Sequence, residues 1–404
     1  MIEGYCDDRF LEAKTLFEKN IKNGFELGGA VSVELRGKKI IDLWGGYTDQ
    51  AKTTLWQENT IINVFSTTKG IAAICLLQLI EKGLLDLDEP VATYWPEFSE
   101  NAKENIPVRY LFCHKSGLCG IKTSLKTGAF TDWNLICSEL ATQSTFWEPG
   151  TAHGYHGLTY GYLIGELLRR IDGRSIGTYF REEIADPLEL DFWIGLPSSE
   201  FHRVSDIYPA KPSFVEKLLP ILAKLPKSFF PNRLKILFDF NDTSTPVGAA
   251  FNNPRISNDE IFEANTTAWR QAEIPAANGH GSARSIAKLY GILANGGTRN
   301  EVHVLNPETI EMGRTTQSEG KDLVLGNMHT RFGLGFMLGT KDVSMGPNIN
   351  SFGHGGAGGS LGFADPDNHI SLGFVMNQMH RGITAWKTAT EVADSVYKTL
   401  DITK

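Results

Sequence analysis

The sequence lacks the features that mark several classes of protein. No apolar run approaches the ~18 residues that a membrane-spanning helix needs. Residues 1–8 contain neither a basic segment nor an apolar one, so we expect no signal peptide. There is no run of basic residues, and the net charge of −8 argues against nucleic acid and anionic membranes as main partners. We also find no internal repeat and no low-complexity segment.

Cysteine is scarce, and its distribution indicates reduced thiols. The chain has 5 cysteines among 404 residues, an odd number without a Cys-x-x-Cys pair. Reduced thiols are typical of the cytoplasm, which is the location we predict. The histidines His280, His329 and His354 show no metal-ligand spacing with neighbouring acids. We therefore predict neither a metal site nor a cofactor.

The order of the secondary-structure patterns predicts an α/β fold. With 41% apolar and 21% charged residues, the composition is that of a soluble globular protein. An amphipathic helix (7–24) and a β-hairpin (28–46) come first, and strand patterns return from residue 332 before a closing helix (384–399). The patterns in between are mainly helical.

We predict two parts for this fold. Residues 1–85 and 300–404 would form an antiparallel sheet flanked by helices from both chain ends. Residues 86–299 would form an inserted, mainly helical domain. Within it, residues 205–262 mix leucines, lysines and prolines without a clear period. We interpret them as a lid or wall of the substrate cleft, with a partner surface or an irregular connection as the alternatives.

The most informative stretch changes from a strand pattern to a helix pattern at Ser66. Residues 61–65 are mostly β-branched or aromatic, residues 66–68 are typical N-cap residues, and apolar residues then recur at helical spacing until Gly83. Lys69 follows one helical turn after Ser66, on the same face. A hydroxyl and an amine in this arrangement can act as nucleophile and base. The positive end of the helix dipole favours an alkoxide and disfavours an ammonium ion.

The Ser-x-x-Lys pattern alone is not specific, because it occurs a second time. Ser285 and Lys288 show the same spacing inside an amphipathic helix pattern that Ser282 can cap. We interpret Ser285 as a surface serine and Lys288 as a solvated lysine.

Two later segments can supply the remaining groups of an acylating serine enzyme. A Pro-Gly turn leads to Tyr155 just before a clear helix pattern at 159–171. A tyrosine beside a lysine can titrate below its usual pKa of ~10 and shuttle protons, although the segment alone favours a structural tyrosine. Residues 352–358 form a glycine-rich strand with one histidine, His354. A free N–H there can complement the Ser66 N–H in an oxyanion hole, although a bulge or a close-packed strand is the alternative.

Taken in order, these three segments resemble the motifs of the serine β-lactamase/penicillin-binding superfamily. The resemblance is greatest to the class C β-lactamase-like branch, which includes the family VIII carboxylesterases. It covers roughly residues 10–385, apart from 205–262. Further segments that resemble this branch are His114–Leu118, Gly161–Glu166, Gly173–Ser175 and Ala277–Ala283.

The resemblance implies roles for particular residues. Ser66 would be the acylated nucleophile, with Lys69 and Tyr155 sharing the duties of general base and acid. The N–H groups of Ser66 and Ala357 would form the oxyanion hole. The adjacent residues His354, Gly355 and Gly356 would line the substrate side.

Two departures from the class C pattern concern the substrate. Gly157 stands where those lactamases carry an asparagine, and His354 stands where they carry a lysine. Gly157 has no amide to bind a β-lactam side chain. Histidine is mostly neutral at pH 7, so the fixed cation that would recognise a carboxylate is missing. Both departures favour an esterase over a dedicated lactamase.

Two other motif matches are interpreted as fortuitous. Lys126–Gly128 spells the third lactamase motif, but it precedes Tyr155 and lies outside any strand pattern. Ser360 lies in a Gly-x-Ser-x-Gly match at 358–362, where a β-hairpin follows instead of the helix that a nucleophile elbow requires.

We therefore predict a serine carboxylesterase that acts on small-molecule esters of small to medium acyl chains. The alternatives on the same machinery are a β-lactamase, a D-amino peptidase or an acyltransferase. From another class, a catalytically weak scaffold that self-assembles remains open. The natural ester and the oligomeric state are not determined by the sequence.

Overall fold

The structure is a computed structural model that describes residues 2–210, 239–255, 262–341, 343–382 and 386–402. Its strands are β1 (Ile2–Cys6), β2 (Gly28–Leu35), β3 (Lys38–Gly46), β4 (Ile62–Asn63), β5 (Phe192–Ile194), β6 (Gly279–Gly281), β7 (Thr298–Arg299), β8 (Val302–His303), β9 (Ser318–Lys321), β10 (His329–Phe332), β11 (Met337–Leu338), β12 (Phe352–Gly355), β13 (Leu361–Asp365) and β14 (Ile370–Met376). The α-helices within these residues are α1 (Leu11–Lys22), α2 (Thr67–Glu81), α3 (Val91–Tyr94), α4 (Arg109–Phe112), α5 (Trp133–Thr142), α6 (Thr159–Asp172), α7 (Ile176–Phe180), α8 (Pro246–Phe251), α9 (Thr267–Gln271), α10 (Ala283–Ala294), α11 (Pro307–Arg314) and α12 (Lys387–Thr399).

Nine of the strands form one antiparallel sheet, in the order β1-β3-β2-β14-β13-β12-β11-β10-β9. Strand β2 from the beginning of the chain pairs with β14 near its end, with Val31 opposite Phe374. The prediction that both chain ends build a common sheet is confirmed. The β2–β3 hairpin turns at Arg36 and Gly37, whose φ angles of 51° and 71° match the turn type that joins twisted antiparallel strands.

The side chain of Asp365 stabilises the turn between β13 and β14. One carboxylate oxygen of Asp365 accepts hydrogen bonds from the backbone N–H of Asp367 at 3.1 Å and of Asn368 at 3.3 Å. An aspartate side chain that bonds to the backbone two residues on stabilises such a turn. These two hydrogen bonds hold the turn that joins β13 to β14.

Helices cover both faces of the sheet. Helix α10 packs on β14, β2 and β13, while α1 and α12 pack against each other, with α1 also contacting β3. Side chains of α1, α12 and β14, including Phe17, Val392 and Leu372, belong to one buried apolar cluster. On the other face, a Cβ on Gly373 would lie 2.2 Å from the Ala283 carbonyl oxygen. The missing side chain at residue 373 therefore lets α10 approach the sheet closely.

Helix α2 is buried on all sides and positions the candidate nucleophile. Every residue from Thr67 to Leu79 is buried, and the helix packs on α6 and on β12. A helix that is apolar all round requires such an interior position. It ends as predicted, with Lys82 as C-cap and Gly83 at a φ of 68°. Its N-terminus lies between the large sheet and the helices of the middle of the chain.

The mainly helical middle of the chain agrees with its sequence patterns. Helix α6 begins at Thr159 and ends at Gly173, which adopts the left-handed conformation typical of a C-terminal glycine. The division into a separate domain at 86–299 stays a prediction; α10, which that division assigns to the helical part, packs on the sheet. Of the predicted lid at 205–262, residues 211–238 and 256–261 lie outside the described residues.

All five cysteines are unpaired, and Cys75 is wholly buried in α2, as its position in the apolar pattern predicts. Among the described residues, no helix is long and apolar enough to cross a membrane. Within the same ranges, no group of three or more His, Cys, Asp and Glu side chains is arranged to hold a metal ion.

Candidate active site

Ser66 lies in a tight turn between β4 and α2. The preceding residue, Phe65, has a φ of 44°, a conformation that is uncommon for a bulky side chain and is often found at functional sites. Ser66 precedes the first helical residue, but its hydroxyl makes no capping hydrogen bond. Between residues 61 and 70 it is the one side chain that is not buried. The hydroxyl is therefore both accessible and available for chemistry.

The amine of Lys69 contacts three oxygen atoms. Its Nζ lies 3.1 Å from Ser66 Oγ, 2.7 Å from the Gly157 carbonyl oxygen and 2.9 Å from the Ala276 carbonyl oxygen. Burial lowers the pKa of Lys69 well below its usual value of 10.5, which favours the neutral amine. A neutral amine has two N–H groups and one lone pair. In that neutral form the two N–H groups would go to the Gly157 and Ala276 carbonyl oxygens, which only accept, and the lone pair would face Ser66 Oγ; in the ammonium form Nζ donates to all three oxygens.

Tyr155 lies beside this pair. The Lys69 Nζ is 4.7 Å from the centre of the Tyr155 ring, and the Ser66 side chain is close enough to the phenol to lower its pKa slightly. Burial raises the pKa of Tyr155 well above its usual value of 10, and the Ser66 side chain offsets only part of this effect. The expectation that Tyr155 titrates below ~10 is therefore wrong.

A buried carboxylate that the sequence patterns did not single out holds the Tyr155 loop. Asp322 is fully buried, and its Oδ1 accepts the backbone N–H groups of Tyr155 at 3.1 Å and of Val324 at 2.8 Å. Its other oxygen accepts the Thr330 hydroxyl, which in turn lies 2.9 Å from His153 Nε2. Asp322 is 167 positions from Tyr155 in the chain, so no local pattern relates the two residues.

His354 is buried on β12 and is neutral. Its Nδ1 lies 2.8 Å from the Gly355 carbonyl oxygen, so Nδ1 carries the proton and Nε2 is an acceptor. No hydrogen-bond partner for Nε2 exists among the described residues. Burial lowers the pKa of His354 to about 3, with a smaller contribution from Lys69. The side chain therefore presents a lone pair, not a cation, beside Tyr155, whose ring centre is 6.0 Å away.

The two glycines after His354 allow the chain itself to pack closely. A Cβ on Gly355 would lie 2.4 Å from the Trp386 ring, and a Cβ on Gly356 would lie 2.1 Å from Ser360 Oγ. The sequence suggested that glycines here admit the substrate; the structure adds that each one makes room for a neighbouring side chain. Their contact with a substrate stays a prediction.

The two backbone groups predicted for the oxyanion hole have no acceptor among the described residues. Within the described parts of the chain, neither the Ser66 N–H nor the Ala357 N–H donates a backbone hydrogen bond. Ala357 is exposed in the loop after β12. Unpaired N–H groups next to a nucleophile are the donors that a tetrahedral oxyanion requires.

Phe251 occupies the space beside Gly157. A Cβ on Gly157 would lie 2.8 Å from the Phe251 ring and 3.2 Å from the Ala250 carbonyl oxygen. The Phe251 ring stacks on Tyr155 with centres 6.4 Å apart. An asparagine at residue 157 would therefore meet an aromatic ring. Phe251, at the end of α8, is an apolar group beside the candidate acid that the sequence patterns missed.

The other motif matches are structural. Ser285 is buried, with its Oγ accepting the Asp191 N–H at 2.7 Å, and Lys288 donates to the Leu188 carbonyl oxygen. The interpretation of Ser285 as a surface serine is wrong, because the segment that leads into β5 covers this face of α10, and Lys288 is partly covered as well. Gly128 ends the Lys126–Gly128 match in a left-handed turn, not a strand. Ser360 immediately precedes β13, and its Oγ is bonded to the Val64 carbonyl oxygen.

Comparisons with known proteins cover nearly the whole chain. The family model described as Beta-lactamase matches residues 16–394. The chain is 30% identical over 381 residues to the Esterase/beta-lactamase LipL of Mycobacterium tuberculosis (strain ATCC 25618 / H37Rv), covering 93% of this chain and 83% of that protein. A solved penicillin-binding protein homolog from Caulobacter crescentus has a TM-score of 0.86 and 36% identity, covering 99% of this chain and 100% of its own. A solved family VIII carboxylesterase has a TM-score of 0.86 and 35% identity, with the same coverage of 99% and 100%.

Proposed function

The chain belongs to the β-lactamase family, and on that basis we propose that it is a serine carboxylesterase acting through an acyl-enzyme on Ser66. A serine hydrolase with the β-lactamase fold is the general assignment; the ester substrate, the acyl-enzyme and the roles of Lys69 and Tyr155 are the proposal. The observation that carries it is the contact of Lys69 Nζ with one hydroxyl and two carbonyl oxygens. That contact leaves the amine lone pair directed at Ser66.

In the proposed acylation step, the Ser66 proton moves to Lys69 Nζ while Oγ bonds to the ester carbonyl carbon. The oxyanion accepts hydrogen bonds from the N–H groups of Ser66 and Ala357. When it collapses, the ester C–O bond breaks and the leaving alkoxide takes the Tyr155 proton. The Lys69 ammonium, whose nitrogen is 4.7 Å from the phenol ring centre, then returns a proton to Tyr155. Ser66 is left acylated and both proton carriers return to their starting states.

Hydrolysis of the acyl-enzyme by water completes the proposed cycle. Lys69 takes a proton from water as the oxygen attacks the acyl carbon. Ser66 Oγ then leaves and takes the Tyr155 proton, which Lys69 restores. The net reaction is ester plus water to carboxylic acid plus alcohol. Burial supports this division of labour, because it favours a neutral amine at Lys69 and a protonated phenol at Tyr155.

Two features support an ester over a β-lactam as the substrate. His354 is neutral, so it offers no positive charge to the carboxylate of a penicillin or cephalosporin. Gly157 has no amide, and the Phe251 ring lies where one would extend. The similar family VIII carboxylesterase agrees with this choice. We propose esters of small to medium acyl chains, in a cytoplasmic protein whose five cysteines are unpaired.

β-Lactam hydrolysis is the second candidate, since LipL is named an esterase/beta-lactamase. A D-amino peptidase and an acyltransferase are the other candidates on this machinery. Nitrocefin turnover, release of amino acids from D-amino acid amides, and acyl transfer to added alcohols separate these activities from ester hydrolysis.

The decisive experiment compares Ser66→Ala with wild type on p-nitrophenyl acetate and butyrate. We expect Ser66→Ala to lose at least about three orders of magnitude in kcat, the scale for removing a nucleophile. Ser285→Ala is the matched control, because it alters the second Ser-x-x-Lys match away from Lys69. Its activity per folded molecule should equal that of wild type. A Ser66→Ala protein that hydrolyses both esters at the wild-type rate would refute the proposal.

A further inference from the structure

Ser360 bonds two segments that approach each other near the site. We define the nucleophile turn as residues 64–67 and the oxyanion loop as residues 356–360. Ser360 Oγ lies 2.7 Å from the Val64 carbonyl oxygen and 3.0 Å from Thr67 Oγ1. The side chains of Ser360 and Thr67 are buried. One hydroxyl of the oxyanion loop thus contacts residues on both sides of Ser66.

The direction of these hydrogen bonds follows from the number of protons. A serine hydroxyl has one proton, and a carbonyl oxygen can only accept. The Ser360 proton therefore goes to Val64, and Thr67 donates its own proton to Ser360 Oγ. Both hydroxyl protons are used, so the orientation of both side chains is determined.

The oxyanion loop is held on its other side as well. The Ser360 carbonyl oxygen accepts the Gly356 N–H at 2.7 Å and the Trp386 Nε1–H at 3.1 Å. A Cβ on Gly356 would lie 2.2 Å from the Val64 carbonyl oxygen, so the loop and the turn are in close backbone contact. Ser360 closes the loop through its backbone and joins it to the turn through its side chain.

The candidate oxyanion donors lie one in each of these segments. Ser66 is flanked in the turn by the two residues that bond to Ser360 Oγ, and Ala357 follows Gly356 in the loop. An oxyanion hole works only when its donors are about 2.7–3.1 Å from the oxygen in the transition state. We propose that Ser360 is a positioning residue that fixes the separation of the Ser66 and Ala357 N–H groups. This inference rests on the proposed function.

The test compares Ser360→Ala with Ser371→Ala, a matched control. Ser371 is also a buried serine, and its Oγ donates to the Ala287 carbonyl oxygen at the same 2.7 Å, but it lies on β14 away from the loop. For each variant we would measure Tm, kcat and KM with p-nitrophenyl butyrate, and the rate of Ser66 labelling by a fluorophosphonate probe. Labelling forms a tetrahedral adduct on Ser66, so it depends on the oxyanion hole without requiring a particular ester.

We expect both variants to lower Tm, Ser360→Ala somewhat more, since it removes two buried hydrogen bonds and Ser371→Ala removes one. Only Ser360→Ala should also lower kcat and the labelling rate, by about 10- to 100-fold, with KM changed little. Complete removal of one oxyanion donor costs about 10²–10³, and a displaced donor should cost less. Thr67→Val should act in the same direction. In the double variant, Thr67→Val should reduce kcat by less than it does alone, because Ser360→Ala already removes the hydrogen bond between the two side chains.

The outcomes separate this inference from the proposed function. A Ser360→Ala protein that labels and turns over at the wild-type rate would overturn the inference and leave the esterase assignment intact. Equal kinetic losses in Ser360→Ala and Ser371→Ala would also overturn it, because the role would then be general stability. A wild-type protein that neither hydrolyses esters nor labels at Ser66 would overturn the proposed function and this inference with it.

Discussion

Replacing Lys69 with methionine tests whether the amine is neutral in the folded protein. Methionine keeps an unbranched apolar side chain and removes the group that titrates. Because burial lowers the pKa of Lys69 well below 10.5, there is a pH range in which the folded amine is neutral and the unfolded amine carries a proton. In that range the unfolded wild-type chain binds one more proton than the folded one. The Lys69→Met chain has no such difference.

The sign and size of the effect follow from this proton. The free energy of unfolding of the wild type should rise with pH, relative to Lys69→Met, by about 1.4 kcal/mol per pH unit. The relative gain begins above the folded pKa of Lys69 and ends near its unfolded value of 10.5. The difference in the free energy of unfolding between the two proteins at a single pH is not diagnostic. Methionine avoids the cost of desolvating an amine, but it leaves two buried carbonyls unpaired, at about 1–3 kcal/mol each.

The assay is urea unfolding of both proteins at several pH values between about pH 7 and pH 9. Lys103→Met is the control: the Lys103 side chain is also covered, donating to the Glu100 and Gln143 carbonyl oxygens at 2.6 Å. Burial lowers the pKa of Lys103 to a smaller extent, since Glu100 offsets part of the effect. The difference in the free energy of unfolding between wild type and Lys103→Met should change only toward the alkaline end of this pH range. A difference between wild type and Lys69→Met that is constant with pH would mean that folded Lys69 is charged, and it could not be the base.

Two further variants test the acid and the substrate wall. Tyr155→Phe should lower kcat by about 10²–10⁴ for ethyl esters. With p-nitrophenyl esters it should leave a fast burst of p-nitrophenolate followed by slow turnover, because p-nitrophenolate leaves without needing a proton but the Ser66 oxygen released in deacylation needs one; a burst slowed as much as ethyl-ester turnover would exclude Tyr155 as the acid. Gly157→Asn should lower the free energy of unfolding by about 1–3 kcal/mol in urea, because its Cβ would lie 2.8 Å from the Phe251 ring. Adding Phe251→Ala should restore part of that loss, and a single Gly157→Asn variant as stable as wild type would contradict the contact.

Features that depend on neighbours in the chain could be predicted from the sequence. Ser66 and Lys69 are one helical turn apart, so the change from strand to helix pattern was enough to place them together. The Ser282 cap of α10 and the glycine at the end of α2 form as expected for the same reason. The order of the motifs then indicated the β-lactamase family, which the family match confirms.

Features that depend on distant contacts could not be predicted in this way. Ser285 was expected at the surface but is buried. The prediction failed because a periodic pattern does not reveal which faces of α10 are covered in the folded chain. Ser360 was set aside as a nucleophile from its local pattern, but its bond to Val64 spans 296 positions and has no local signal. Asp322 had no signal at all, since its role depends on a loop 167 positions away.

Local sequence patterns identify the residues proposed to carry the chemistry, whereas the pKa values of those residues depend on how the folded chain surrounds them. Lys69 owes its low pKa to complete burial, and its two carbonyl partners are 88 and 207 positions away in the chain. Tyr155 was expected to be unusually acidic beside a lysine, and burial has the opposite effect. Helix and turn formation depend on residues within a few positions of one another. The free energy of a charge depends on every group that surrounds it in space, whatever its place in the chain.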